Sequence, residues 1–355
     1  MNKIYIRFIS SVYLKYFFII FAALELFYVG IDVLTNLKDL PTSANLQLLY
    51  ACLLALSAAS YTLPLSLIFA LIVSSINLIR SNELVSFYAL GVSRHAFIAP
   101  PFFIAFFITA IFIGLNFTPF AYAQTYQRDL IKSGGISQST SSDVFLKFDG
   151  RFIYIKSLNQ AKKSMQNVRI FELDGINLKS FLTSNEAMFK NNKWQLKDPI
   201  ITMLPENMQL GSTSFSVKKE QSLEALSGFS PKSIEQASQA QSAMSGADAL
   251  EFMFTFKDEE VSLEGIRASF YMLVFTPLYA PLLVFIFYCH MPIIGRFLNL
   301  AMASFVMVVA TFVVWGVIFI LARFALNGIL NPEIALLSPV ALLLIYSIYL
   351  WRRLA

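Results

Sequence analysis

The chain has 355 residues, 57% of them hydrophobic and only 14% charged, with 35 phenylalanines and a mean hydropathy of +0.63. This excludes an ordinary soluble domain, where charged residues make up about 25%, and places the chain in the membrane class. The formal net charge of +5 sits largely in short segments between apolar runs. It therefore reads as membrane topology and not as a nucleic-acid-binding surface.

Six apolar runs follow in order, at residues 12–37, 47–79, 96–119, 267–289, 297–324 and 333–351. Each is long enough to cross ~30 Å of hydrocarbon as a helix. Lys3, Arg7 and Lys15 mark the start of the first run, Arg80 and Arg94 bracket the loop after the second, Arg296 follows the fourth, and Arg352 and Arg353 end the chain. The other side carries little beyond Lys38 and Arg323. The bias of basic residues predicts that both termini and the 80–94 loop are cytoplasmic, and that the long polar insert between runs three and four lies outside. No small-residue cleavage site follows a short apolar core, so the first run is expected to stay as an anchor. Cys52 and Cys289 both fall inside apolar runs, leaving the insert no disulfide to form.

Between runs two and three stands "LIRSNELVSFYALGVSRHAF", residues 78–97. Ser81 is placed as an N-cap, Glu83 in a first turn where the helix dipole favours an anion, and Gly91 as a left-handed residue past the end. A short helix over 82–90 is predicted, with Leu84, Phe87, Tyr88 and Gly91 along one side. So short a helix is marginal in water and needs something to dock on. It either lies in lipid headgroups or meets a cytoplasmic partner, with Glu83 offered to a cation and the aromatics filling a pocket.

The polar insert reads as β. "VFLKFDGRFIYIKSL" alternates on both sides of Asp149-Gly150, a strong two-residue hairpin signal. In that register Val144, Leu146, Ile153 and Ile155 share one face, and Phe145, Lys147, Phe152 and Tyr154 share the other. "VRIFELDGINLKSFL" repeats the device at Asp174-Gly175, and "MFKNNKWQL" turns at Asn191-Asn192. Two apolar faces fit a sandwich strand buried on both sides, or a sheet with one face lining a groove for a lipid tail; from these residues alone the sandwich is favoured. Residues 230–246 form a Ser/Gln/Ala-rich connector, and 247–272 return to the membrane as helix.

Searches for catalytic patterns find little. His95 and His290 are the two histidines, and no HExxH, paired CxxC, GxSxG or GxxxxGK[ST] occurs. The chain is expected to be non-catalytic and to bind no cofactor of its own. If energy is used, another subunit hydrolyses the ATP.

"LPLSLIFALIVSSINLIRSNELVSFYALGVSR" resembles the second span and coupling helix of the LptF/LptG family of lipopolysaccharide-export permeases, where "LP" precedes a "SE[LI]xxxxAxG" core. Here one asparagine separates Ser81 from Glu83. The resemblance continues through the β insert, "FTPLYAPLLVFI", and "NPEIALLSPVALLLIYSIYLWRR", whose short C-terminus looks more like LptG than LptF.

The resemblance implies an α-helical membrane protein with six transmembrane helices plus an all-β, jellyroll-like periplasmic domain inserted between helices 3 and 4. The expected divisions are 1–119 (helices 1–3, with the coupling helix at 81–91), 120–245 (the jellyroll-like domain) and 246–355 (re-entry helix and helices 4–6). It also implies an LptF–LptG heterodimer, a dimeric LptB-like ATPase holding the ATP and Mg, LptC- and LptA-like periplasmic partners, and lipopolysaccharide lifted from the inner membrane. No nucleic acid is expected. By motif match Glu83 is the coupling acid, with Leu84, Phe87, Tyr88 and Gly91 beside it. The jellyroll analogy raises the lipid-groove reading of Phe145, Leu146, Phe152, Ile153 and Tyr154 above the sandwich. Lys38 matches a family position that contacts lipid A phosphates, and Arg323 is a further basic candidate for the substrate.

Two acids depart from the pattern. LptG relatives can carry lysine where Asp32 stands, and Glu25 fits no family pattern. Their spacing of seven puts them on one helical face. An intramembrane carboxylate costs a few kcal/mol unless it meets water or a cation, so each is a substrate-site candidate; protonation, or pairing with a basic residue of the partner permease, is at least as good an account of Glu25. Two other classes compete with the permease. A mechanotransmission subunit like the FtsX/MacB group would place its large domain after span one and not after span three. A membrane enzyme acting on lipids would need the metal or nucleophile constellation that the sequence lacks.

Overall fold

Six helices of the computed structural model are long and apolar enough to cross a membrane: Ile4–Thr35, Ala44–Arg80, Arg94–Leu115, Glu264–His290, Leu300–Leu326 and Glu333–Arg353. The structure describes residues 2–133, 140–148, 151–159, 162–174, 177–190, 193–204, 215–231, 234, 244–255, 264–292 and 299–354. The chain divides into two compact units. One comprises the spans with residues 1–135, 243–250 and 264–355; the other lies within 136–242 and 251–263.

In the first unit, α1 (Asn2–Thr35) and α2 (Ala44–Arg80) are antiparallel neighbours. The α1 helix starts well before residue 12 because Ile9 and Tyr13 are buried, the Tyr13 hydroxyl donating to the Leu67 carbonyl at 2.9 Å. A short α3 (Glu83–Ala89) leads into the third span, α4 (Arg94–Leu115), and α5 (Ala123–Ser133) follows it. The fourth span breaks at a 3-10 turn, Thr276–Leu278, around Pro277, and every residue from Tyr279 to Tyr288 beyond the break is buried. Its second half is the axis on which α2, α4 and the sixth span pack. The sixth span opens with a π turn, Glu333–Leu337, just before Pro339. Proline lacks an N–H and its ring crowds the carbonyl four residues back, so the widened turn absorbs the mismatch.

Bare apolar surface is the other mark of this unit. Only 6% of the most apolar window of the first span and 22% of that of the fifth are buried within the chain. In lipid such faces carry no hydrophobic penalty, and they are where other helices or acyl chains can lie.

One tight joint secures the end of the third span. Asn116, buried, accepts the Gly246 N–H through its carbonyl at 2.9 Å and donates its side-chain amide to the Leu273 carbonyl at 3.3 Å. Gly246 opens α6 (Gly246–Thr255), where a Cβ would stand 2.9 Å from the Phe117 ring. Glycine is required there for close approach.

The second unit holds β1 (Thr140–Phe148), β2 (Arg151–Asn159), β3 (Ser164–Asp174), β4 (Asn177–Lys190), β5 (Lys193–Lys197), β6 (Ile200–Met203), β7 (Ser216–Lys219) and β8 (Ser222–Ala225). Among the described residues they make one antiparallel sheet of eight strands, in the order β1-β2-β3-β4-β5-β8, with β6 on β4 and β7 on β6. The three expected hairpins have both strands in place. Their turns at 149–150, 175–176 and 191–192 lie outside the described residues. Long β4 pairs with β6 along its first half and β5 along its second, so β5 and β6 form one course bent at Asp198-Pro199. Buried Ser184 sits at the bend, its hydroxyl 2.8 Å from the Lys197 carbonyl and 2.9 Å from that of Glu186.

The sheet register separates two kinds of row. Val144, Ile155 and Val168 align across three strands, and Leu146, Ile153 and Ile170 align beside them. Of these, Val144, Ile153, Ile155, Val168 and Ile170 are buried. Trp194 and Leu196 extend this core, which Leu226 and Phe229 cover: Phe229 stacks on Phe148 at 4.2 Å and accepts the Trp194 indole N–H at 2.6 Å.

Candidate functional site

The helix α3 is held at one end of the span bundle. Its start differs from the sequence expectation. Ser81 closes α2 and is not an N-cap, its hydroxyl directed to the Leu78 carbonyl at 3.3 Å. Asn82 then takes a left-handed conformation, φ 59°, reversing the chain between the helices. Asparagine tolerates that region better than most residues, which gives the inserted residue between Ser81 and Glu83 a structural task. At the other end Gly91 has φ +85°. The Gly91 N–H donates to the Tyr88 carbonyl at 3.0 Å and the Val92 N–H to the Phe87 carbonyl at 3.1 Å. That pair of bonds is a Schellman cap, and the positive φ is why glycine suits it.

The aromatics expected to fill a partner's pocket turn into this chain's own core. Leu84 is buried. The Tyr88 hydroxyl lies 2.5 Å from that of Tyr288 in the fourth span. Phe97 of α4 stacks on Tyr288 at 5.8 Å and meets Tyr88 at 5.9 Å and Phe87 at 6.0 Å, while Phe8 of α1 meets Phe87 at 5.7 Å. Beneath the helix, the space among Leu78, Leu84, Tyr88, Phe97, Tyr288 and Met291 is only about 10 Å³, at the ~10–15 Å³ limit for one water. α3 thus packs against four elements: α1, α2, α4 and the fourth span. Its outward surface carries Asn82, Ser86, Ala89 and Leu90, with Glu83 half-exposed in the first turn.

Both intramembrane acids find partners on the neighbouring span. Glu25 accepts from the Thr62 hydroxyl through one oxygen; its other oxygen is buried with no partner among the described residues. Asp32 accepts from the Tyr50 hydroxyl at 2.5 Å and the Asn36 amide at 3.0 Å, and Gln127 of α5 donates to Tyr50 at 2.9 Å. Thr62, Tyr50 and Gln127 were not singled out from sequence, although polar side chains in an apolar run were a signal. Lys38 is exposed in the turn after α1. Arg323, also exposed, lies over the Phe319 ring at 5.1 Å in the last turn of the fifth span. Another joint missed from sequence is Arg267, whose guanidinium meets Glu333 at 2.9 Å, with the Tyr271 hydroxyl at 3.4 Å; it ties the fourth span to the π turn of the sixth. The two histidines make contacts between spans: His95 lies edge-on to Trp351 at 4.5 Å, and His290 bonds Tyr346 at 3.0 Å.

In the sheet unit, Ile153 is buried on the aliphatic face; Phe145, Phe152 and Tyr154 stand on the other, and of Leu146 the register alone is described. Among the described residues no three His, Cys, Asp or Glu side chains converge as metal ligands would.

Six spans, a short helix held at one end of them and, in chain order between spans three and four, an antiparallel sheet unit define a multi-pass membrane protein with one inserted β unit. A family model described as lipopolysaccharide export system permease LptF/LptG matches residues 7–353. The chain belongs to that family. A search of curated proteins returned no match.

Proposed function

We propose that this chain is the LptG-like half of an ATP-driven exporter of lipopolysaccharide or lipooligosaccharide. It pairs with a paralogous LptF/LptG permease on an LptB-like ATPase dimer, which holds the ATP and Mg, and delivers lipid toward LptC- and LptA-like proteins. In this reading the protein lies in the bacterial inner membrane with α3 and both termini cytoplasmic and the sheet unit periplasmic. The observation that carries it is the family match over residues 7–353. The Tyr88–Tyr288 contact at 2.5 Å supports the coupling role of α3, because with the aromatic contacts beside it a push on α3 would reach the buried half of the fourth span. Glu83 and the exposed edge of α3 meet the ATPase, whereas Leu84, Phe87 and Tyr88 fix the helix to the spans. Glu25, Asp32, Lys38 and Arg323 stand near the lipid path, and the sheet unit receives the acyl chains.

Cysteine labelling in cells tests the orientation. Residues 81–94 and 352–353 should react only from the cytoplasm and residues 143–220 only from the periplasm; external labelling at Ser81 overturns it. Glu83→Ala tests the coupling. Loss of one charge-assisted contact of ~1.5–3 kcal/mol should reduce ATPase affinity or export ten- to hundredfold. Normal export at wild-type complex levels would remove Glu83 from the interface.

A further inference from the structure

The face of the sheet opposite the aliphatic core has its own chemistry. Phe145, Tyr154 and Arg169 align across β1, β2 and β3, and Phe152, Phe171 and Phe181 align across β2, β3 and β4. Phe145 and Phe152 are stacked with centroids 5.8 Å apart, Phe171 meets Phe181 at 6.4 Å, and the Arg169 guanidinium lies 6.0 Å over the Tyr154 ring. Phe145 is 62% exposed although it stands in the middle of a strand. These side chains border an open basin of about 540 Å³ lined by Phe145, Tyr154, Lys156, Asn167, Arg169 and Phe171. That size is within the ~300–1,000 Å³ of small-ligand sites. Asn167 stands in β3 with a left-handed backbone, φ 50°, a conformation asparagine accepts.

We propose that this basin binds the acidic sugars of the exported lipid, a phosphorylated or carboxylated saccharide, on the sheet face opposite the aliphatic one. The proposal rests on the transport reading above and assigns the carbohydrate part of the substrate to a place. The exposed Phe145 ring offers a flat apolar face to the C–H face of a pyranose. The Arg169 fork matches phosphate or carboxylate oxygens in a bidentate way. Lys156 adds a second cation, and Asn167 offers both an amide donor and a carbonyl acceptor to hydroxyls. No acidic side chain is among the lining residues, so the site complements an anion. An acyl chain would leave both cations unused, and a bare anion would leave the exposed Phe145 unused; an acidic sugar uses both.

The probe is a fully deacylated, phosphorylated lipopolysaccharide oligosaccharide, titrated into the full-length permease complex in nanodiscs. Wild type should bind it. Arg169→Glu should weaken binding about tenfold or more, with Arg169→Lys recovering part of the loss and Phe145→Ala weakening it several-fold. The neutral counterpart, dephosphorylated and carboxyl-reduced, should bind at least as weakly as the charged probe binds Arg169→Glu. Inorganic phosphate should not compete. Both variant positions are exposed, and hydrogen exchange across β1–β4 verifies that the strands are intact. Equal binding by wild type and Arg169→Glu, no binding by wild type, or displacement by phosphate alone overturns the proposal. Binding is read without transport, so a complex that binds the sugar yet extracts no lipid in a parallel assay refutes the export reading while upholding the site.

Discussion

Trp194→Ala is expected to strip protection from the sheet unit while leaving the spans intact. The side chain is fully buried, donates its indole N–H to the Phe229 carbonyl at 2.6 Å, and lies 5.2 Å from the Phe189 ring. Truncating a buried aromatic costs about 3–5 kcal/mol. A domain holds only ~5–15 kcal/mol in total, so the unit becomes marginal. The carbonyl of Phe229 also loses the indole donor, and the segment that covers the aliphatic rows loses one of its anchors. Hydrogen exchange on the full-length protein should show faster exchange through β2–β5, with the spans as internal reference. Trp194→Phe, which keeps a ring but not the N–H, should fall between. Unchanged exchange in Trp194→Ala would refute the packing account.

Tyr88→Ala should separate ATP hydrolysis from lipid export. The ring packs beside Phe97, reaches Tyr288 through its hydroxyl and is partly exposed, so its removal should destabilise the docking of α3 by about 2–3 kcal/mol, below the value for a fully buried aromatic. The complex should still assemble through the outward surface of α3 and still hydrolyse ATP, while lipid moved per ATP falls. Tyr88→Phe isolates the hydroxyl: it leaves buried Tyr288 without its partner, a loss of about 1–3 kcal/mol, whereas Tyr88→Phe combined with Tyr288→Phe should recover toward wild type. Export per ATP, measured in proteoliposomes, distinguishes the cases. A normal ratio in Tyr88→Ala removes the aromatic contact from the force path.

Much of this architecture is legible in the sequence. Hydropathy runs expose six spans because the bilayer imposes a length, and alternation around Asp-Gly and Asn-Asn pairs gives three hairpins because side chains alternate along a strand. Gly91 marks the end of α3 because few other residues take its backbone angle. What sequence could not supply is which helix face meets which. Tyr288 lies 200 residues from Tyr88, and no local pattern joins them. Phe87 and Tyr88 look like anchors for another protein when the helix is considered alone; once α1, α4 and the fourth span are placed around it, they are partly buried against this chain's own core. The acids are a similar case. Glu25 and Asp32 stood as substrate-site candidates that water, a cation or, for Glu25, protonation could satisfy; the sequence did not show that Thr62 and Tyr50, one helix away, donate to them. In the sheet both faces looked apolar, and the difference comes from Phe229, far along the chain, which covers only one of them.

The side-chain bonds between α1 and α2 have a mechanical consequence. Tyr13 to the Leu67 carbonyl, Glu25 to Thr62 and Asp32 to Tyr50 are spaced along nearly the whole of α1. They act like rivets at the foot, middle and head of a two-layer beam. A slide of one helical turn, ~5.4 Å, would shear all three together, and a bend at any level would load two of them. The first two spans therefore travel as one stiff lever. Its free play lies at its borders with the other spans, above all along the bare outer side of α1, where 6% of the most apolar window is buried among the described residues.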